Sequence, residues 1–273
     1  MKAHNISIPP STVTPPKILK VRDSIHILNL YNAGANLAAV DAENLEIGLY
    51  SHSLEKVGAI TIPEGRMGPC NGWLAEFDLF WSLTTDKLLL FYTQDGTVET
   101  KIKAPVSIGV CFEYQSSIYF ISFGALGHQL FKVSNGTLIP EDVAFPSSVR
   151  MDDSVVIDFK PSTGQLMHFS YGRTVFKYNG NSFTRYHQFT NLNGPLRGFS
   201  SIPETDNHLI LVSNIGDLST TEVFLLDQNN HPIVSTAPLQ LPDAGFLVTL
   251  DKETFAVASP RQKYLKTVSW APL

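Results

Sequence analysis

Charge is scarce in this chain. Asp, Glu, Lys and Arg make up only 16% of its 273 residues, the formal net charge is −5, and no lysine-rich run occurs. That balance argues against nucleic acid and against an anionic membrane as main partners. Cysteine is nearly absent: Cys70 and Cys111 stand alone. One is expected in a loop and the other in an inner strand, so no disulfide framework is implied. No apolar run approaches 18 residues, which leaves no candidate for a spanning helix. The first ten residues, Met1 to Pro10, lack the apolar core of a signal peptide, so a cytoplasmic location is expected.

The usual chemical signatures are missing too. No His/Cys cluster has zinc spacing, no serine sits in a nucleophile elbow, and no glycine-rich loop has the strand-to-helix setting that cradles phosphate. Met151-Asp152-Asp153 puts two carboxylates side by side, but two acids without further ligands make a poor cation site. No cofactor is expected. Asn5-Ile6-Ser7 and Asn135-Gly136-Thr137 match the glycosylation pattern, which carries meaning only in a secreted protein. The oligomeric state is left open.

What is present is a repeat. Val155-Val156-Ile157-Asp158, a turn at Pro161 to Gly164, Leu166 to Gly172, then Thr174 to Tyr178 reads strand, tight turn, strand, short loop, strand. Comparable turns fall at Ala42-Glu43-Asn44, Thr84-Thr85-Asp86, Gln115-Ser116-Ser117, Ser162-Thr163-Gly164, Thr205-Asp206-Asn207 and Asp251-Lys252-Glu253. They are about 42, 31, 47, 43 and 46 residues apart, and a period near 40–45 with several strands per unit marks a propeller. Short apolar strands flank each turn, as sheets buried on both faces require. The sequence therefore predicts an all-β, six-bladed β-propeller formed by residues 1–273 as one domain. Five and seven blades are the neighbouring counts, because the interval of about 31 leaves one unit short of a strand.

Residues 1–16 hold four prolines and read as an extended arm. The last unit, Phe246 to Trp270, shows only three strands. The N-terminal segment, either the arm or Ile18 to Leu30, is expected to supply the missing outer strand and close the ring. Hairpin chemistry is favourable at Asp95-Gly96, Asn135-Gly136 and Asn179-Gly180, pairs that tolerate positive φ.

The two ends of such a ring carry different chemistry. Turns joining first and second strands share one face. Loops joining second and third strands share the other with the connections between blades. Long irregular segments fall on that second face, and binding residues concentrate on loops held by a rigid scaffold. Five of the seven arginines, Arg66, Arg150, Arg173, Arg197 and Arg261, lie in those loops or at their edges. Converging guanidinium groups suit carboxylate, phenolate or carbonyl oxygens; the plainer reading is that loops expose arginine anyway. His128, in a Gly-rich loop, is the candidate acid or base, with Arg173 beside it as the second catalytic candidate. His168, mid-strand, reads as a core histidine. Trp73 is placed to stack on a ligand, whereas Trp81 reads as core.

Some units resemble known propeller families. Phe123-Gly124 and Tyr171-Gly172 end apolar strands as kelch-type units do, without the double glycine. Leu89 to Tyr92 through Asp95-Gly96-Thr97-Val98-Glu99, and Leu37 through Glu55, resemble units of the fungal fucose-lectin group. Leu89 and Ile47 stand where those lectins carry the sugar-binding arginine, so the resemblance implies the fold and not the sugar site. At the level of fold alone the chain is similar to lectin-like fungal enzymes that guide cycloadditions without a cofactor. That likeness implies a small organic ligand and a cofactor-free cyclisation of Diels–Alder type. Sugar binding and a protein-interaction role are the alternatives.

Overall fold

A computed structural model describes residues 16–41, 43–61, 70–124, 127–145, 155–160, 165–170, 174–189, 194, 196–213, 220–227, 232–235 and 241–269. At 124, 155–160, 165–170, 174–175, 186–187, 213 and 232–235 the description is of backbone. Every regular element among these residues is a strand.

The chain begins with β1 (Lys17–Asp23) and then runs through sheets in sequence. The first holds β2 (Ile27–Ala33), β3 (Asn36–Asp41), β4 (Glu46–Tyr50) and β5 (Lys56–Thr61). The second holds β6 (Cys70–Leu74), β7 (Leu79–Leu83), β8 (Leu88–Tyr92) and β9 (Val98–Lys103). The third holds β10 (Gly109–Tyr114), β11 (Ser117–Gly124), β12 (Gly127–Ser134) and β13 (Thr137–Glu141). The fourth holds β14 (Val155–Lys160), β15 (Gln165–Ser170), β16 (Thr174–Tyr178) and β17 (Phe183–Gln188). The fifth holds β18 (Leu196–Ser201), β19 (His208–Ser213), β20 (Thr221–Leu226) and β21 (Pro232–Ser235). The last holds β22 (Phe246–Thr249), β23 (Thr254–Ser259) and β24 (Tyr264–Ser269), with β1 on its outer edge.

All six sheets are four-stranded and antiparallel, and the architecture is a β-propeller. The inner strands β2, β6, β10, β14, β18 and β22 neighbour one another in that order, and β22 neighbours β2 again. The ring is closed by β1, whose Arg22 and Asp23 pair with Leu265 and Tyr264. The segment that closes it is thus Lys17–Asp23, while Ile27 to Leu30 belongs to the inner strand of the first sheet.

The core lies between sheets, because each sheet is apolar on both faces. Leu209, Leu211 and Val223 of the fifth sheet pack against Leu247, Phe255 and Val257 of the last. Leu74, Trp81 and Leu89 of the second pack against Cys111, Phe120 and Phe131 of the third. Each such side chain contributes about 1.5–3 kcal/mol on burial. β3, β8 and β23 are buried along most of their length, whereas β1 is almost wholly exposed and β9 and β13 are exposed at half or more of their residues. Trp81 is core, as expected, at 2% exposure.

The spacing of the turns needs one correction. Ala42-Glu43-Asn44 and Thr84-Thr85-Asp86 join second and third strands, whereas the other four markers join first and second. The change of register between the second and third units is what made one interval short. The Asn135-Gly136 hairpin has φ of 48° and 71°, and Gly96 and Gly180 have φ of 87° and 94°, as those turns require.

Candidate functional site

Strand direction sorts every connection onto one of two faces. First strands run toward the face holding 34–35, 75–78, 115–116, 161–164, 202–207 and 250–253, here the turn face. The opposite loop face holds the described connections 43–45, 84–87, 104–108, 142–145, 241–245 and 260–263, and the strands flanking the other second-to-third and inter-sheet connections end and begin there.

Arg66, Arg150 and Arg173 lie outside the described residues. Arg197 is described. It is not in a loop but on β18, half-buried, where the pairing with β19 shifts between Leu196 and Gly198. The reason is local: a Cβ on Gly198 would stand 2.6 Å from the Leu247 Cβ, so β18 lies close against β22 and the bulge accommodates the arginine beside it. Arg261 lies in the loop between β23 and β24, mostly exposed, with one guanidinium nitrogen 3.7 Å from Asp243 Oδ2. Gln262 Nε2 donates to the same oxygen at 3.4 Å. An exposed pair of this length holds its partners weakly, so the guanidinium is readily recruited by an incoming anion.

His128 is a strand residue rather than a loop residue. It opens β12 on the loop face, opposite Phe123. Its ring meets Phe123 edge-on at 5.0 Å and Phe145 edge-on at 5.5 Å. The aromatic edges orient the imidazole and leave it half-buried. Trp73 corrects a sequence expectation outright. It lies on β6, one residue before the turn-face end, and its indole packs 4.6 Å from the Phe80 ring. Trp73 therefore fills the seam between the first and second sheets and does not reach the loop face. Cys70 likewise opens β6 instead of lying in a loop, and burial pushes the thiols of Cys70 and Cys111 up. His168 is on β15.

The structure also shows polar residues that the sequence did not single out. Tyr31 Oη, on β2, lies 2.7 Å from both Asn71 O and Asn71 Oδ1 on β6, and burial raises its pKa well above the usual value. Asn32 Nδ2 donates to Thr249 O at 2.9 Å. Thr249 accepts from Ser200 Oγ at 3.0 Å and donates its own hydroxyl to Ser201 O. Glu113, on β10 and 4% exposed, accepts from Glu76 N at 2.7 Å and Phe77 N at 3.3 Å. Burial pushes its carboxyl up to about 7, against the pull of those amides. Ser116 Oγ adds a bond to Glu76 Oε1 at 2.6 Å. These contacts run between neighbouring sheets, and those of Asn32, Thr249 and Glu113 lie at the turn-face end of the inner strands. The loop face has its own braces: Asp41 takes up Glu43 N and both the N and Nδ2 of Asn44, and Lys263 pairs with Glu43 across the ring-closing seam. Only the Asp41–Asn44 turn had a readable signal, an Asx turn.

Among the described residues no group of His, Cys, Asp and Glu stands close enough to hold a metal ion. No family model matches the chain, and no curated protein matches it either. Among solved structures it is similar to the β-propeller domain of Cps50 (Swd1) from Myceliophteria thermophila. The TM-score is 0.65 at 8% identity, over 93% of this chain and 99% of that one. At that identity the likeness establishes the β-propeller fold alone.

Proposed function

We propose that the protein is a six-bladed propeller that binds a small organic molecule on its loop face. The observation that supports this best is one of placement. His128, Arg197 and Arg261 stand toward that face, and in sequence Arg66, Arg150 and Arg173 fall between strands that end and begin there. Toward the other face, inner-strand Asn32, Thr249 and Glu113 are engaged in bonds to neighbouring sheets. Guanidinium groups so placed suit a ligand with carboxylate, phenolate or polarised carbonyl oxygens.

The catalytic form of this proposal is a cofactor-free cyclisation or cycloaddition. The face holds the reacting ends in near-attack geometry, which contributes up to about 7–11 kcal/mol in favourable cases. Arg173 and its neighbours donate to a carbonyl oxygen as charge grows there, and His128 moves a proton. A thermal-shift screen of cyclic and aromatic carboxylates, phenols and polyenones, run beside a glycan array, tests the reading. Saturable stabilisation by members of the first set, lost in R173A, R197A and R261A, is expected. Turnover of a true cyclisation substrate should fall by about 10²-fold or more in R173A with Tm unchanged. Clear fucose or galactose binding, with no response to the small molecules, overturns the proposal in favour of a lectin.

A further inference from the structure

The outer strands differ in how they guard their free edge. β13 contains Pro140 and β21 opens on Pro232, and neither proline has an N–H to offer. β9 turns Glu99, Lys101 and Lys103 to solvent. β1 also carries lysines, Lys17 and Lys20, but sets them beside an exposed aliphatic row. Ile18, Leu19 and Val21 are 37%, 44% and 49% exposed. Its pairing with β24 shifts between Ile18 and Lys20, so the strand is bulged at Leu19. Among the described residues no strand pairs with its other edge, and an exposed aliphatic edge of this kind is a template for one more strand.

The charge on this edge runs against the rest of the chain. β1 carries Lys17, Lys20 and Arg22 against a single carboxylate, Asp23, in a protein of net charge −5. Arg22 is partly committed, its guanidinium lying 5.0 Å above the Tyr50 ring. Lys17 and Lys20 flank the exposed aliphatic residues and remain exposed.

We propose that the free edge of β1 is a docking edge for an extended segment of another protein in which acidic and aliphatic residues alternate. Strand addition supplies main-chain bonds, and the side chains set specificity. Acidic residues match Lys17 and Lys20, while aliphatic ones cover Ile18, Leu19 and Val21. A second copy of this chain fits less well, because antiparallel self-pairing centred on Lys20 sets that lysine against its own copy and leaves one carboxylate, Asp23, to answer three cations on each strand. The chain's own residues 1–16 fit poorly too. They contain no Asp or Glu, and Pro9, Pro10, Pro15 and Pro16 cannot donate to a ladder.

The test uses the full chain and two labelled eight-residue probes, one alternating Val with Glu and one alternating Val with Lys, followed by fluorescence anisotropy. Saturable binding of the Val/Glu probe alone is expected, with amide protection rising at residues 17–23. K17E/K20E should weaken it about 10-fold or more and shift preference to the Val/Lys probe. Leu19→Ser, which keeps the charges, should weaken it less, and both variants should keep the parent Tm. No saturable binding, or binding indifferent to K17E/K20E, overturns the proposal. So does protection of 17–23 that grows with protein concentration alone, which assigns the edge to a second copy. Binding that appears only after residues 1–15 are removed assigns it to the chain's own arm.

Discussion

The turn face and the loop face are built from the same strands, yet they dispose of their polar groups differently. On the turn face, connections satisfy themselves or the neighbouring sheet. Asp95 takes up Thr97 N, Asn179 takes up Asn181 N and Ser182 N, Asp251 takes up Glu253 N, and Glu113 takes up the amides of 76 and 77. On the loop face, third strands and connections do the bracing: Thr221 Oγ1 donates to Leu241 O at 2.8 Å, Tyr264 Oη donates to Pro242 O at 3.0 Å, and exposed ion pairs join Lys263 with Glu43 and Arg261 with Asp243. A buried, short hydrogen bond fixes geometry, whereas an exposed ion pair contributes little and exchanges easily. Both faces are braced, the turn face from inner-strand side chains such as Asn32, Ser200 and Glu113, the loop face from third strands, connections and exposed pairs that include Arg261.

The largest break in that comparison comes from removing the strand that joins the ends. Deletion of residues 1–23 takes away β1, strips the ladder from Tyr264 to Ser269 and leaves an open apolar edge on β24. Loss of soluble, cooperatively unfolding protein is the expected outcome, measured by expression yield and thermal melting. A deletion variant that melts like the parent would show that closure lies elsewhere.

Two glycines sharpen the comparison at smaller scale. Gly109 opens β10 on the loop face, where a Cβ would meet the Phe120 ring at 2.4 Å and Ile121 O at 2.5 Å. The backbone oxygen cannot step aside, so Gly109→Ala should cost about 3 kcal/mol in denaturant unfolding. Gly96, on the turn face, has φ of 87° and its nearest neighbour at 3.5 Å. Gly96→Ala meets conformational strain alone, about 1 kcal/mol. Equal effects would mean that the inner strand shifts more freely than its packing implies.

Glu113 supplies a pH-dependent contrast. Its carboxyl is raised to about 7 by burial, with Glu76 beside it pushing the same way. The folded state therefore holds a proton that the unfolded state has released. The stability this proton brings is full below the ordinary carboxylate value, and is lost as pH rises through about 7. Gln at this position still accepts from the amides of 76 and 77 and never ionises. Glu113→Gln should match the parent at pH 4 and exceed it at pH 8 by about 1–3 kcal/mol, read from denaturant curves at both pH values. A pH-independent difference would contradict the burial assigned to this carboxyl.

Much of the fold was legible because strands and turns use unmistakable residues. Runs such as Leu88 to Tyr92 and pairs such as Asn135-Gly136 announce a hairpin wherever they occur. What misled was the register of the first two sheets. Their inner strands, Ile27–Ala33 and Cys70–Leu74, carry Asn29, Asn32, Asn71 and Gly72 and do not read as apolar strands. Asn32 and Asn71 are polar because they bond to neighbouring sheets, with Thr249 and Tyr31 as partners. Such partners lie about 40 or more residues away in sequence, beyond the reach of local patterning. Trp73 failed for the same reason, since an aromatic beside a loop and one inside a seam look alike until strand direction is known. The placement of Arg197, Arg261 and His128 on the loop face was readable, because it follows from topology alone.

The central claim is that ligand chemistry belongs to the loop face. Titration of isotope-labelled protein with benzoate, a minimal aromatic carboxylate, tests it most directly when amide and side-chain shifts are mapped residue by residue. Shifts should cluster at Arg197, Arg261, His128 and the loop-face connections, leaving Glu113, Trp73 and residues 75–78 in place. The double variant R197A/R261A should bind about 10-fold or more weakly. Saturable shifts centred on Glu113 and the 75–78 turn, or affinity unchanged in R197A/R261A, would contradict the account.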